Sequence, residues 1–297
     1  MVLRSIRVCY ATAEVLGNAA DIELTRPGNG TRGDETAMTD IYAEPRVVTD
    51  ITQCVFYHTM EVPGYGRIEG PWDLRGGERE YLGKVELAGK RVLEVGTASG
   101  YLCFWMEKQG AEVVSYDVCE SQDWDVVPYA QYDHEGFAQE RRRGTRRLND
   151  GYWLIHRALG SNARVVYGSV YRIPAEIGAV DIVTLGSILL HLRDPFQAMR
   201  QAARLSRELV VVTDLLPTEG REKAMYFKPD FRTVEPKETW WHLPPEIIVA
   251  FLGILGFEDT AVSFHQQRHS WGVAKLYTVV GRRTRAFEPP DQASTPI

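Results

Sequence analysis

The chain has 297 residues, 44% of them hydrophobic and 25% charged, with a formal net charge of −6. That composition is that of an ordinary globular protein with room for one large α/β domain and embellishments, and its acidity offers no general attraction to nucleic acid or an anionic membrane. No run approaches the roughly 18 apolar residues of a membrane span, and Glu14 cuts the apolar stretch behind Arg4 and Arg7 too short for a signal peptide. Cys9, Cys54, Cys103 and Cys119 are scattered without ligand spacing, so we expect reduced thiols of a cytoplasmic protein and no metal site.

Residues 1–50 carry no clear pattern, and 26–33 is turn-rich. Residues 51–77 read as a hairpin-like flap, turning at Pro63-Gly-Tyr-Gly66. A helix over 78–88 leads into a short apolar strand, 91–95. Tight-turn residues and a helix of about two turns follow, then a second strand ending on Asp117. A long insert, 119–150, holds an acidic loop and an arginine-rich helical stretch. Residues 152–159 have helical apolar spacing and stop at Gly160. Strands follow at 163–167, 180–185 and 208–213, with a helix at 195–205 capped by Asp194 and opened by Pro195. After a second insert, 216–243, a helix runs from Pro244 to Gly256. Two alternating segments, 258–266 and 273–281, form a hairpin, and 283–297 is expected to be a disordered tail.

The strand, glycine turn, helix and acid-tipped second strand form the first half of a nucleotide-binding unit, with Asp117 placed to accept hydrogen bonds from a ribose diol. A dinucleotide fingerprint starting at Gly96 needs glycine at 98, where the chain has Ala98, and a small residue at 101, where it has Tyr101. The actual pattern is Glu94-x-Gly96-x-x-x-Gly100, which resembles the first motif of the class I S-adenosylmethionine (SAM) methyltransferases. The resemblance runs from about 70 to 282. It implies an α/β, Rossmann-like seven-stranded methyltransferase sheet with helices on both faces, closed by a C-terminal antiparallel hairpin. Residues 78–282 would be the SAM-binding domain carrying both inserts.

The same resemblance implies SAM as cofactor and S-adenosylhomocysteine (SAH) as product. Its site would be Glu94, Gly96, Thr97, Ala98, Ser99, Gly100, Tyr101, Asp117, Val118, Ser169, Val170, Gly186 and Trp72. Gly186-Ser-Ile-Leu-Leu-His-Leu-Arg-Asp-Pro195 is similar to enzymes that modify the tRNA wobble uridine by carboxymethyl transfer. Two departures matter: Leu190 replaces a tyrosine, and Phe56-Tyr-His-Thr59 lacks a lysine. Without those partners the extra carboxylate of a carboxylated cofactor would be buried poorly paired, so ordinary SAM is expected.

His191, at the carboxyl end of the fourth strand, is the candidate general base. Tyr57, His58, Tyr226 and Trp241 are candidate acceptor-pocket residues among many aromatics. Arg141 to Arg147 is either an RNA-binding ridge or a solvated, self-paired helix face. The expectation is methyl transfer to an O or N atom of a small-molecule acceptor. The alternatives are a tRNA-modifying methyltransferase and a non-catalytic SAM- or SAH-binding protein. The sequence leaves the acceptor and the oligomeric state open.

Overall fold

A computed structural model describes residues 41–218 and 223–286. The expectations for 1–40 and for 287–297 of the tail lie outside the described residues.

The centre is an eight-stranded sheet. Its strands are β3 (Trp72–Asp73), β4 (Arg91–Val95), β5 (Glu112–Asp117), β6 (Arg164–Tyr167), β7 (Val180–Gly186), β8 (Ser206–Leu215), β11 (Asp259–His269) and β12 (Gly272–Arg282). Their spatial order is β3-β11-β12-β8-β7-β4-β5-β6. β4 to β8 are parallel, and the β11–β12 hairpin closes the sheet antiparallel against β8. Seven of these strands are the expected Rossmann-like methyltransferase sheet. The eighth, β3, comes from the segment read as a flap, pairs with β11 at Arg268 and His269, and is bridged on Trp72 by His58. The small hairpin β1 (Met60–Val62) and β2 (Gly66–Ile68) precedes it.

Because the parallel strands are covered on both faces, they read as continuous apolar runs rather than alternating ones. Val92, Ile182 and Val211 on one face pack with Leu102 and Met106 of α2 (Tyr101–Lys108) and with Tyr152 and Ile155 of α3 (His134–Leu159). Leu93, Val183 and Val212 on the other face pack with Ala198 and Met199 of α4 (Pro195–Ala203) and Ile248 and Leu252 of α5 (Pro245–Ile254).

Three local expectations change. The helix expected over 78–88 is a single turn, α1 (Glu78–Tyr81), because Gly83 and Lys84 both have positive φ. The arginine-rich stretch and 152–159 are one helix, α3, of 26 residues, so helix begins inside the segment read as the first insert. α3 runs through Gly151, where a Cβ would lie 2.5 Å from the Val55 carbonyl, so the glycine admits close packing of the preceding chain. The terminal hairpin is longer than expected, with only Ser270 and Trp271 between its strands.

The second insert contains the short pair β9 (Tyr226–Phe227) and β10 (Trp241–His242). The two inserts meet each other. Val127, Tyr129 and Trp240 form a small core of their own. The Val127 N–H donates to the Lys237 carbonyl at 2.9 Å and the Trp240 indole to the Asp125 carbonyl at 2.6 Å.

Candidate cofactor and acceptor site

The loop between β4 and α2 is built from left-handed residues. Gly96, Ala98 and Gly100 have φ of 86°, 51° and 85°. A Cβ on Gly96 would lie 2.3 Å from the Ile188 side chain, and one on Gly100 would meet Phe104 and Tyr152. Ala98 accepts a conformation that costs an L-residue on the order of 1–2 kcal/mol, and its N–H is fixed by Asp117 Oδ2 at 2.7 Å. The other carboxylate oxygen of Asp117 accepts from the Val118 N–H at 2.7 Å. Each oxygen thus retains acceptor capacity, while burial raises the Asp117 pKa to about 6.

Glu94 is buried, with Oε2 lacking a hydrogen-bond partner. Burial pushes its carboxyl up to about 7, a shift the Thr97 hydroxyl only partly offsets. Ser99 Oγ accepts the Tyr57 N–H at 3.0 Å, drawing the 55–59 segment over the loop. His58 lies buried between the Tyr57 and Tyr101 rings with Nδ1 unpaired, and burial lowers its pKa to about 3. Trp72 is tied to that segment by backbone bonds to Tyr57 and Thr59 and packs edge-on against His269. Behind β6, the exposed Ser169 caps a short turn that Val170 opens, and the Ser169 carbonyl accepts the Tyr116 hydroxyl. Gly186 ends β7, where a Cβ would lie 2.9 Å from the Tyr81 hydroxyl, itself 3.1 Å from Ser187 Oγ.

His191 lies in the turn after β7, half-buried, with Nδ1 2.6 Å from the Glu238 carbonyl. A carbonyl can only accept, so Nδ1 carries the proton and Nε2 holds the lone pair of the neutral ring. Burial lowers the His191 pKa, the carbonyl bond opposes that, and the Arg141 charge adds to it. The Glu238 carboxylate is paired with Arg141, whose guanidinium lies over the Trp124 and Phe137 rings. Tyr226 pairs with His242 in the β9–β10 ribbon, and the Trp241 indole donates to the Arg193 carbonyl at 3.2 Å, beside the Phe227 ring. β10, which carries Trp241, packs against the His191 turn.

The sequence reading passed over Asp214. It lies one residue before the end of β8, is 2% exposed, and accepts the Leu215 N–H. Burial raises its carboxyl to about 7, a shift the Leu215 and Leu190 N–H groups only partly offset, and its Oδ2 has no hydrogen-bond partner. An acid closing an apolar run was the available signal. Tyr81, Ser187, Glu238 and Arg141 were also missed as parts of this site, and their roles come from contacts distant in sequence.

A parallel sheet whose carboxyl ends carry a left-handed glycine loop, a strand-two acid and a covering of inserts defines a Rossmann-like nucleotide-cofactor protein. The family model described as a methyltransferase domain matches residues 76–251, and the chain belongs to that family. It is a class I SAM-dependent methyltransferase. No curated protein matches the chain in sequence. The SAH-bound N-terminal domain of EvdMO1 is similar in fold, at 20% identity and TM-score 0.50, over 78% of this chain and 92% of that one. Magnesium protoporphyrin IX methyltransferase (ChlM) from Synechocystis PCC 6803, with bound SAM, has 15% identity and TM-score 0.43 over 70% and 76% of the two chains. The 1,6-didemethyltoxoflavin-N1-methyltransferase of Burkholderia thailandensis has 13% identity and TM-score 0.45 over 71% and 79%.

The residues present fit the cofactor. Glu94 offers an unpartnered buried carboxylate oxygen, and both carboxylate oxygens of Asp117 keep lone pairs beyond the backbone N–H each accepts.

Proposed function

We propose that this chain transfers a methyl group to an O or N atom of a small-molecule acceptor, with His191 as general base. When bound, SAM supplies a methyl carbon already activated by its sulfonium. In this reading Asp117 holds the ribose diol, Glu94 and the 96–100 loop hold the methionine part, and Val170 lies against the adenine. His191 Nε2 would take the proton of the acceptor O–H or N–H as that atom gains the methyl group and the methyl–sulfur bond breaks, leaving SAH. The observation that carries the proposal is the Nδ1–H bond from His191 to the Glu238 carbonyl, which leaves Nε2 the basic atom. The paired inserts and their aromatic side chains support an enclosed acceptor of modest size.

A tRNA acceptor is less well supported. Arg141 is paired with Glu238, Arg142 with Asp123, and Arg147 donates to the Gln53 and Thr52 carbonyls, which leaves Arg143 and Arg146 as the exposed members of the cluster. The domain reading we carry forward is a SAM-binding unit over 78–282, preceded by a flap at 51–77.

Titration calorimetry with SAM, SAH and NAD tests the cofactor half, with Asp117→Ala as the matched variant. We expect micromolar binding of both adenosyl ligands, lost in the variant, and no NAD binding. An acceptor screen with labelled SAM tests the other half. Transfer to tRNA but to no hydroxylated or amino small molecule would overturn it.

A further inference from the structure

β11 pairs with β12 over its whole length, yet β3 covers its other side only at Arg268 and His269. On that outer side the Ser270 N–H donates to the Pro71 carbonyl. Outward-facing backbone groups recur every second residue in an antiparallel strand. The N–H and C=O groups of Thr260, Val262, Phe264 and Gln266 therefore point away from β12, and among the described residues no strand pairs with them. Natural sheets blunt such edges with proline, lysine, bulges or short strands. The stretch Thr260-Ala-Val-Ser-Phe-His-Gln266 has none of these, and its register with β12 is unbroken. Val262 and Phe264 are 41% and 63% exposed and line a mostly apolar groove with Pro245, Val249 and Ala250 of α5, which Glu246 and Lys223 also border.

We propose that this edge pairs antiparallel with the same edge of a second copy, about a two-fold axis at Ser263, joining the two sheets into one. The strand's own sequence selects both partner and register. A two-fold axis perpendicular to a sheet keeps each residue on its face, so opposed residue numbers must sum to an even value. Centred on Ser263, Val262 opposes Phe264 of the second copy and the reverse, Thr260 opposes Gln266, and Ala261 opposes His265. Each outward N–H and C=O of the four even-numbered residues then meets its complement. The stretch contains no Asp, Glu, Lys or Arg, so no like charges meet. Centring on Val262 sets Phe264 against Thr260. Centring on Phe264 sets Thr260 against Arg268, whose outer side β3 already holds.

Sedimentation velocity and light scattering on the full chain provide the test, with disulfide trapping to read the register. We expect twice the chain mass of 33.6 kDa at tens of micromolar. Ser263→Cys sits at a non-hydrogen-bonded pair, where Cα atoms approach to about 4.5 Å, within disulfide reach. Mild oxidation should link two such chains, while Gln266→Cys and the parent chain stay unlinked. Val262→Pro removes an outward N–H without touching the β12 ladder, and with Phe264→Lys it should give a monomer of unchanged SAH affinity. A monomeric parent chain, a dimer that survives both substitutions, or linking through Gln266→Cys alone overturns the proposal. So does a dimer that forms only when residues 1–40 are removed, since the chain's own N-terminal segment would then hold the edge.

Discussion

His191 Nδ1 and the main-chain carbonyl of Glu238 lie 2.6 Å apart, so the orientation of one ring on the sheet is set by a residue of the second insert. The Trp240 N–H bond to the Leu190 carbonyl fixes the same turn from the same insert. If Nε2 is the base, His191→Ala should lower turnover by about 10²–10⁴-fold, with SAH affinity within about twofold of the parent because Asp117 and the glycine loop are untouched. Equal losses in both would show that His191 supports the fold or the cofactor rather than the proton transfer. Imidazole nitrogen shifts give a readout independent of any acceptor, and should report the Nδ1–H tautomer.

The pH dependence should run opposite to that of a protein held by salt-bridged acids. Burial raises Glu94, Asp214 and Glu238 to about 7 and Asp117 to about 6, against about 4 in an unfolded chain. Each group binds more protons folded than unfolded within that window. Its stabilising contribution is therefore full below about pH 4 and is lost as pH rises through 6 to 7. Asp73, held at about 2 by Arg75, acts only at lower pH. The melting temperature of the cofactor-free protein should rise as pH falls from 8 toward 5.5. SAH affinity should fall below about pH 6, as Asp117 loses its charge. A melting temperature that is flat or falling over that range would contradict these burial effects.

Gly96 is constrained twice, by φ of 86° and by Ile188 against its open side. Gly96→Ala should cost about 2–3 kcal/mol, combining left-handed strain with displacement of Ile188. Adding Ile188→Ala should recover only the steric part. Full recovery in chemical denaturation would mean that the backbone conformation is not limiting.

Arg141 and Arg143 are neighbours with opposite expected weight. Arg141 is paired with Glu238 in a largely buried setting, whereas Arg143 is exposed. Arg141→Gln should destabilise by about 2–4 kcal/mol at pH 8, and by less at pH 6, where Glu238 takes up a proton. Arg143→Gln should stay within about 0.5 kcal/mol. Similar effects at the two positions would argue that the pair does not tie the inserts together.

The sheet was legible because its signals are local. Apolar runs mark β4 to β8, Asp194 and Pro195 open α4, and Gly160 in a left-handed conformation closes α3. The glycine pattern at 96 and 100 was equally local and pointed to the right cofactor class. Non-local features did not show. Trp72 joins the sheet only because His269 comes to meet it, and Glu238 matters only because α3 carries Arg141 to it. The unbroken run of α3 was hidden by Gly144 and Gly151, residues of low helix propensity. At Gly151 the reason is contact with Val55, far back in the chain.

α3 belongs to two neighbourhoods at once. Its later turns lie in the core beneath β5, and Asn149 donates to the Val118 carbonyl beside Asp117. Its earlier turns hold Arg141 and, through the Trp124 indole on Thr145, the first insert. A straight helix of 26 residues is a rod of about 39 Å. Tilting it by some five degrees at the sheet would swing its far end by about 3 Å. One continuous element thus connects the first insert with the end of β5, where Asp117 is proposed to hold the cofactor ribose.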